Sequence, residues 1–292
     1  MTGFDADWLA LREPADAAAR SVALADRAAS HLAARHLDAE RPLRILDLGA
    51  GTGSGPRWLA PRLPGPQRWT LVDHDPALLA EAPRALAGWA EARGLEAETS
   101  AGLRLSGPGL DVTVETRRHD LNAALETLPF DEADLATGAA LLDLVSESWI
   151  ARLARAAAGR PILVALTVDG LIDFAPTDPL DGPVRDAFNG HQHGDKGFGP
   201  ALGPAAASRA PAMLAEAGWH VETEATPWRL GPDQGPLIAA LVEGYAATAA
   251  EMAVAPEREI AAWRDRRRES ALAGTLSLTV GHIDLLALPD TL

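Results

Sequence analysis

The stretch that most limits what this chain can fold into is ILDLGAGTGSG, residues 45–55. An apolar run ends here in glycines at every second position, and Pro56 follows where the first turn of a helix tolerates proline. A buried strand that leads through a glycine turn into a helix is typical of α/β folds that bind a ligand at the carboxyl end of the strand. The stretch therefore predicts a ligand site, and its glycine spacing restricts the ligand.

Strand-like apolar segments alternate along the chain with segments of helical spacing. The predicted strands cover residues 42–48, 68–73, a hairpin that ends near Asp120, part of 133–145, 160–168, 219–227 and 274–289. Strands that alternate with helices in this way predict a doubly wound α/β fold around a parallel sheet. We expect the ligand-binding residues at the carboxyl ends of the strands.

The 292 residues are predicted to form a single domain with three additions. An N-terminal helical extension covers about residues 1–40, with one amphipathic helix from Pro14 to Leu37. Residues 169–204 are rich in Gly, Pro, Asp and His and are expected to form a loop over the site. Residues 236–270 are expected to form two helices split near Pro256.

Composition excludes several classes of function. The chain has no cysteine, which rules out disulfides, thiolate metal sites and a cysteine nucleophile. Its net charge of −15 would repel nucleic acid, and the basic segment 263–270 is interleaved with acids. No apolar run reaches the ~20 residues of a membrane span, and the N-terminal residues do not resemble a signal peptide. A cytoplasmic protein that acts on a small molecule is expected.

The glycine spacing distinguishes among nucleotide ligands. The dinucleotide fingerprint is G-x-G-x-x-G, and its third glycine falls on Ser54 or Pro56, depending on which glycine of this stretch is counted first. A phosphate-binding P-loop is also excluded, because no Lys-Ser or Lys-Thr pair follows the glycines. The stretch instead reads acidic-x-Gly-x-Gly-x-Gly from Asp47 to Gly53.

In this respect the chain resembles the class I S-adenosylmethionine-dependent methyltransferases. The likeness includes Asp73, an acid at the end of the second strand and 24 positions after Gly49, and Asp120 after the third. It also includes the segments EADLATGAALLDLVSESWIARLARA and MLAEAGWHVE, so that it covers roughly residues 43–226 and the final strand. The resemblance implies a mostly parallel seven-stranded sheet with helices on both faces and an antiparallel final strand.

The resemblance also implies S-adenosyl-L-methionine as the cofactor and assigns roles to its binding residues. Asp47 would receive the amino group, Asp73 the ribose hydroxyls, and Asp120 would lie against the adenine. A cationic sulfonium suits an acidic cleft, whereas a pyrophosphate would be repelled by one. The implied cofactor-binding residues are Asp47, Gly49, Ala50, Gly51, Thr52, Gly53, Asp73, His74, His119, Asp120, Leu121, Gly138 and Ala139.

The methyl acceptor is expected at the ends of the fourth and fifth strands. Methyl transfer from a sulfonium depends on alignment in a dry pocket, and a general base helps when the acceptor is protonated. The candidates for catalysis are His191, His193 and Asp143. The candidates for substrate contact are Phe188, Asp195, Lys196 and Phe198. The His-x-His-x-Asp spacing also allows a metal site, but two imidazoles suit zinc better than magnesium, and no metal is expected.

The sequence therefore predicts a methyltransferase that modifies an O or N atom of a small metabolite. Two alternatives remain open: a nicotinamide-dependent oxidoreductase on a related sheet, and a protein that binds S-adenosylmethionine without turnover. The Asn-Pro-Pro-aromatic tetrapeptide of many amino-group methyltransferases of nucleic acids and proteins is absent, and TGAA stands in its place.

Overall fold

A computed structural model describes residues 5–35, 41–100 and 102–289 of the chain. Within these residues the strands are β1 (Leu43–Leu48), β2 (Gln67–Asp73), β3 (Glu96–Glu98), β4 (Leu103–Gly107), β5 (Leu110–Arg118), β6 (Leu135–Ala139), β7 (Ile162–Ala175), β8 (Trp219–Ala225), β9 (Trp228–Leu230) and β10 (Ser277–Pro289). They form one sheet in the order β3-β4-β5-β2-β1-β6-β7-β10-β8, with β9 also paired to β10.

Helices cover both faces of this sheet. They are α1 (Ala6–Ala19), α2 (Val22–Arg35), α3 (Ser54–Leu59), α4 (Pro76–Glu91), α5 (Leu121–Ala124), α6 (Glu147–Ala156), α7 (Asp181–Gln192), α8 (Ala206–Glu216), α9 (Gly235–Glu251) and α10 (Glu257–Leu272). Two of these helices begin with a side-chain cap, because Asp75 accepts the N–H of Ala77 at the start of α4 and Ser146 accepts that of Trp149 at the start of α6.

The predicted mostly parallel sheet is confirmed. Strands β5, β2, β1, β6 and β7 are parallel neighbours, and β10 runs antiparallel between β7 and β8. The described part of the chain has ten strands rather than the seven expected. Strands β3 and β4 extend the sheet beyond β5, and the short strand β9 pairs with β10. The carboxyl ends of β1, β2, β6 and β7 consequently meet at one edge.

Three apolar clusters hold these layers together, and each contains a fully buried tryptophan. Trp149 lies in the cluster under α6 and α8, and Trp69 lies in the cluster under α2 and α4. Trp263 lies in a third cluster, formed by α7, α9 and α10 against the outer parts of β7 and β10. We call this third cluster and its helices the cap.

The loop predicted over 169–204 was wrong in part. Strand β7 does not end at residue 168 but continues to Ala175, because Ile172 and Phe174 alternate inward and pair with the start of β10. Helix α7 then follows within the same segment and buries Val184 and Ala187. The glycines and histidines around this helix concealed its apolar spacing.

The single helix predicted from Pro14 to Leu37 is two helices, and its residues 36 and 37 lie outside the described residues. The break falls at Ser21, whose backbone N–H donates to Asp284 Oδ2 at 2.7 Å. Residues 1–4 and 36–40 of the predicted extension are likewise outside the described residues. Over 236–270 the two predicted helices are present as α9 and α10. No helix in the described ranges is long and apolar enough to cross a membrane.

Candidate functional site

The turn between β1 and α3 is built on glycine geometry. Gly49, Gly51 and Gly53 have φ angles of 66°, 54° and 81°, in the left-handed region that other residues rarely adopt. The Ala50 N–H donates to the carbonyl of Val72 at 3.0 Å, which ties the turn to the neighbouring strand. The turn therefore exposes backbone at the carboxyl edge of the sheet.

The fourth glycine, Gly55, has a different function from the turn glycines. A Cβ atom at this position would lie 2.3 Å from Oδ2 of Asp47 and 2.9 Å from its Cγ. Gly55 is thus required to make room for a carboxylate that is only 3% exposed. Within the described structure, Asp47 Oδ2 has no hydrogen-bond partner. A buried acceptor without a partner is costly, so the arrangement fits a ligand that donates to it.

Arg20 provides a cation for the same site as Asp47, although it is distant from the glycine motif in the sequence. It lies in the turn between α1 and α2, is buried, and donates to the carbonyl and hydroxyl of Ser54 at 3.4 and 3.1 Å. Burial lowers its pKa, while the charges of Asp16, Asp47 and Asp284 raise it. Its Nε has no partner among the described residues.

The electrostatic state of Asp47 follows from its neighbours. Burial raises its pKa to about 7, and the charge of Asp73 contributes in the same direction, while Arg20 and Arg57 oppose the rise. A carboxyl group whose pKa is close to neutral pH ionises readily when a cationic group approaches it. The pair of Asp47 and Arg20 can thus hold an ammonium and a carboxylate side by side.

Asp73 joins the glycine turn to the next strand. Its Oδ2 accepts the Gly51 N–H at 2.9 Å, and its Oδ1 accepts the Asp75 N–H at 3.0 Å. The exposed His74 has its Nδ1 3.3 Å from the same Oδ1. Asp73 therefore lies beside the turn, and its contact with a ribose stays a prediction.

The predicted adenine contacts lie at the end of β5. Asp120 caps α5 through the N–H groups of Ala123 and Asn122, and these bonds lower its pKa. His119 Nε2 lies 2.8 Å from the carbonyl of Ala124, and the Leu121 side chain is buried. Their roles toward adenine stay predictions.

Helix α1 covers the glycine turn and completes a cleft. Glu13 pairs with Arg57 through two bonds of 2.5 and 2.6 Å, and Trp58 Nε1 donates to the carbonyl of Ala17 at 3.0 Å. Arg57 in turn donates to the Thr52 carbonyl. The cleft is lined by Leu9, Arg12, Asp16, Arg20, Ser21, Asp47, Gly49, Ala50, Gly51, Thr52, Ser54, Gly55, Trp58, Leu59, Thr137, Gly138, Ala139, Ala140, Leu163, Ala165 and Asp284.

Asp143, one of the predicted catalytic residues, is a buried carboxyl group. It lies in the loop after β6, is 7% exposed, and its Oδ1 has no partner in the described structure. Burial raises its pKa to about 6, against a lowering by Arg12. A carboxylate with this pKa can accept a proton near neutral pH.

The two predicted catalytic histidines lie at the end of α7 rather than in a loop. His191 has its Nε2 3.7 Å from Glu251 Oε2 on α9, and therefore faces the cap. His193 follows the last residue of α7, and its ring is close to Gly203, whose N–H donates to the carbonyl of Asp143 at 2.9 Å. His193 is thus linked to the backbone of Asp143 through Gly203.

The four predicted substrate residues make contacts within the protein. Phe188 meets Tyr245 edge-on at 4.7 Å, and Phe198 meets Trp149 edge-on at 6.0 Å. Asp195 accepts the N–H groups of Gly197 and Gly199 at 2.7 and 3.1 Å, and Lys196 Nζ is 3.5 Å from the His191 carbonyl. These bonds shape the segment after α7, and contact with a substrate stays a prediction. Among residues 5–35, 41–100 and 102–289, no three His, Asp or Glu side chains are grouped to hold a metal ion.

Sequence reasoning missed the contributions of the N-terminal helices and the final strand. Arg20 comes from the segment that was predicted as one amphipathic helix, and Arg12 lies just before that segment. His282 and Asp284 lie buried in β10. Polar residues at these two positions interrupt an otherwise apolar run, and this interruption was the available signal.

Several solved structures resemble the chain along most of its length. A methyltransferase from Geobacter sulfurreducens, crystallised with S-adenosyl-L-homocysteine, is 15% identical over 99% of this chain and 100% of its own, with a TM-score of 0.45. One from Thiobacillus denitrificans, with the same ligand, is 16% identical over 98% and 99% of the two chains, with a TM-score of 0.42. The cyclase SpnF is 18% identical over 91% and 82%, with a TM-score of 0.39.

No protein-family model matches the chain. The non-reducing polyketide synthase pkiA of Emericella nidulans is 51% identical over 45 residues, which are 14% of this chain and 2% of that protein. The strand order and the antiparallel β10 agree with the fold that the resemblance to class I methyltransferases implied. Because these identities are low, we infer the function from the residues of the cleft.

Proposed function

We propose that the chain is an S-adenosylmethionine-dependent methyltransferase that modifies an O or N atom of a small molecule. The observation that carries this proposal is the juxtaposition of Asp47 and Arg20 beside the glycine turn, each buried and each with an unpartnered polar atom. An α-amino acid group carries an ammonium and a carboxylate on one carbon. It is therefore complementary to both side chains at once.

The same residues argue against a dinucleotide. The Arg20 guanidinium lies among Asp16, Asp47 and Asp284, so a pyrophosphate, which brings negative charge and no ammonium group, would face an excess of carboxylates, whereas the zwitterionic amino-acid group also brings a cation for Asp47. Gly55 accommodates the Asp47 side chain and not a ligand phosphate. The nicotinamide-dependent alternative is therefore disfavoured by charge as well as by glycine register.

Bound S-adenosylmethionine would supply a methyl group on a cationic sulfur, which leaves as the neutral sulfur of S-adenosylhomocysteine. The glycine turn, Asp47 and Arg20 would hold its amino-acid end, and Asp73 its ribose. Helix α1 would exclude water from this end of the cleft. Alignment in such a closed site accounts for much of the acceleration of a displacement reaction.

Asp143 is the residue that we assign to proton removal from the acceptor. Its Oδ1 is buried and has no partner in the described structure, and burial raises its pKa to about 6, which suits a general base. The His193 ring lies close to Gly203, whose N–H donates to the Asp143 carbonyl, and we assign His193 to positioning the segment around Gly203. The His191 side chain faces Glu251 and is expected to contribute little to turnover.

Thermal unfolding with three ligands tests the proposal. A ligand at 100 times its dissociation constant adds about 2.7 kcal/mol of stability, so S-adenosylmethionine and S-adenosylhomocysteine should both raise the melting temperature, whereas NADH should not. Asp47→Asn should remove most of the shift. Stabilisation by NADH alone would contradict the proposal.

A second measurement separates catalysis from binding without turnover. Incubation with S-adenosylmethionine and small-molecule acceptors should release S-adenosylhomocysteine, and Asp143→Asn should suppress this release while leaving the affinity for S-adenosylhomocysteine within about twofold. Ligand binding without any release would favour the binding-only alternative.

A further inference from the structure

Asp284 is a buried carboxylate with no assigned part in binding the cofactor or in removing a proton. It lies on β10, lines the cofactor cleft and is only 2% exposed. A carboxylate at such a place is costly unless several donors satisfy its oxygens. The donors that surround Asp284 therefore indicate what it holds in place.

One oxygen of Asp284 is bound to an irregularity in the sheet. The register between β10 and β7 shifts here, so that Asp284 faces two residues of β7, Ala165 and Leu166, which we call the β7 bulge. Leu166 is fully buried, and its φ of 60° lies in the left-handed region that a leucine rarely adopts. Its N–H donates to Asp284 Oδ1 at 2.8 Å, and the Thr226 hydroxyl donates to the same oxygen at 2.8 Å. The bulge thus fixes one side of the carboxylate.

The other oxygen of Asp284 holds the turn between α1 and α2. Its Oδ2 accepts the Ser21 N–H at 2.7 Å, although the two residues are 263 positions apart. The Ser21 hydroxyl donates to Glu224 Oε2 at 2.5 Å, so the turn is tied to β10 and to β8. Arg20 immediately precedes Ser21 and reaches the Ser54 hydroxyl at 3.1 Å. The Ser21 contacts therefore set the point from which the Arg20 side chain extends toward the glycine turn.

Arg20 is held through the backbone and not through its guanidinium group. Within the described residues, its two terminal nitrogens bond only to Ser54, and its Nε has no partner. Burial lowers the pKa of Arg20, and the charge of Asp284 is one of those that oppose this. Asp284 thus helps to keep the guanidinium cationic without occupying its free donor.

We propose that Asp284 is a positioning residue, which holds the turn between α1 and α2 against the β7 bulge so that Arg20 meets the carboxylate of the adenosyl ligand. This inference rests on the proposed methyltransferase function and adds a residue to its cofactor site. It predicts a selective defect, because loss of the bond to Ser21 should weaken ligands that have an amino-acid end and spare those that lack it. A carboxylate needed only for folding would show no such selectivity.

Asp284→Asn tests the proposal, because an amide has one accepting oxygen. That oxygen is expected to stay with the two donors on the Oδ1 side, which leaves the NH2 group against the Ser21 N–H. Calorimetry measures the dissociation constants of S-adenosylhomocysteine and of 5′-methylthioadenosine, which lacks the amino-acid end. We expect the first to bind about tenfold more weakly than to the wild type, and the second to stay within about twofold.

Thr226→Val is the matched control on the same carboxylate. It removes the hydroxyl donor to Oδ1 and leaves the bond between Oδ2 and Ser21. The melting temperature should fall, while the ratio of the two dissociation constants should stay within about twofold of the wild-type ratio. An equal change of this ratio in Thr226→Val and Asp284→Asn would overturn the proposal.

A double variant shows whether Asp284 acts through Arg20. In Arg20→Met the side chain that Asp284 positions is gone, so the addition of Asp284→Asn should weaken S-adenosylhomocysteine by less than about twofold more. Independent effects would instead multiply and give a further loss of about tenfold, which would overturn the proposal.

If Asp284→Asn does not fold, Ser21→Pro provides the test, because it removes the N–H that Oδ2 accepts. Arg20 already has φ −51° and ψ 138°, which suits a residue before proline. The same selective loss of S-adenosylhomocysteine is expected. A folded variant of either kind whose two affinities fall equally, or do not fall, would overturn the proposal. Failure of the proposed function has a different signature, because the wild-type protein would then not bind S-adenosylhomocysteine at all.

Discussion

The two halves of the site are assembled in different ways. The cofactor half depends mainly on the stretch from Asp47 to Gly55 and on Asp73, which are near one another in the chain and are positioned by backbone turns, and Arg20 joins them from the turn between α1 and α2. The proposed acceptor half depends on Asp143, in the loop after β6, and on helix α1, which lie far apart in the sequence. Local geometry determines most of the first half, and only the complete topology determines the second.

The two buried carboxylates show the same contrast in their chemistry. Asp47 and Asp143 each have an unpartnered oxygen and a pKa raised by burial, to about 7 and about 6. Asp47 lies beside the buried Arg20, so the pair suits a ligand that carries both charges. The charge of Arg12 lowers the pKa of Asp143, but Arg12 is itself paired with Asp16. Asp143 therefore has no cation of its own and is suited to proton transfer.

The largest effect is expected from a substitution at Gly55, in the cofactor half of the site. Gly55→Ala places a Cβ 2.3 Å from Asp47 Oδ2 and must displace that carboxylate. We expect the affinity for S-adenosylhomocysteine, measured by calorimetry, to fall at least 100-fold. Gly88→Ala in α4 is the control, because a Cβ there meets nothing within 4 Å. An affinity within threefold of wild type in Gly55→Ala would mean that Asp47 does not touch the ligand.

Removing the buried cation should have the next largest effect. Arg20→Met preserves an apolar stem but loses the guanidinium, and we expect about 30-fold weaker binding of S-adenosylhomocysteine, equivalent to about 2 kcal/mol. Arg27→Met, on the exposed side of α2, removes only a surface pair with Glu222 and should change the affinity by less than twofold. Similar losses in the two variants would contradict the role of Arg20.

The pH dependence of ligand binding tests the role of Asp47. The free protein holds a proton on Asp47 below its pKa of about 7, and this proton must leave before an ammonium group can bind. The dissociation constant of S-adenosylhomocysteine should therefore rise by up to tenfold per pH unit below about pH 7 and level off above it. Asp47→Asn should bind weakly at every pH, with no such slope. A flat profile for the wild-type protein would contradict this assignment.

The smallest expected effect concerns stability at Asp143. Because its folded pKa of about 6 lies above the ordinary value, the stability it contributes is complete below about pH 4 and is lost as pH rises through about 6. Asp143→Asn lacks this loss, so its gain in unfolding free energy over wild type should be about 1 kcal/mol larger at pH 8 than at about pH 5.3. Chemical denaturation measures both values, and a gain that does not change with pH would show that Asp143 is not the buried acid described here.

Much of the fold could be predicted from the sequence, because strand periodicity, caps such as Asp75 and Ser146, and the glycine turn are local signals. The continuation of β7 to Ala175 was missed because its outer half is stabilised by pairing with the distant β10. The position of Gly55 against Asp47 is a contact between a turn and the strand before it, and glycine spacing alone does not reveal it. The position of Arg20 depends on its contact with Ser54 and, through the neighbouring Ser21, on Asp284, and a single sequence carries little signal for such distant contacts.

The central claim is that the glycine turn, with Asp47 and Arg20, recognises the amino-acid end of an adenosyl ligand. It is tested most directly by the ratio of the dissociation constants of 5′-methylthioadenosine, which lacks that end, and S-adenosylhomocysteine. We predict that S-adenosylhomocysteine binds at least 100-fold more tightly to the wild-type protein, and that the ratio falls below about 10 in Arg20→Met. Equal affinities for the two compounds in the wild-type protein would contradict the claim.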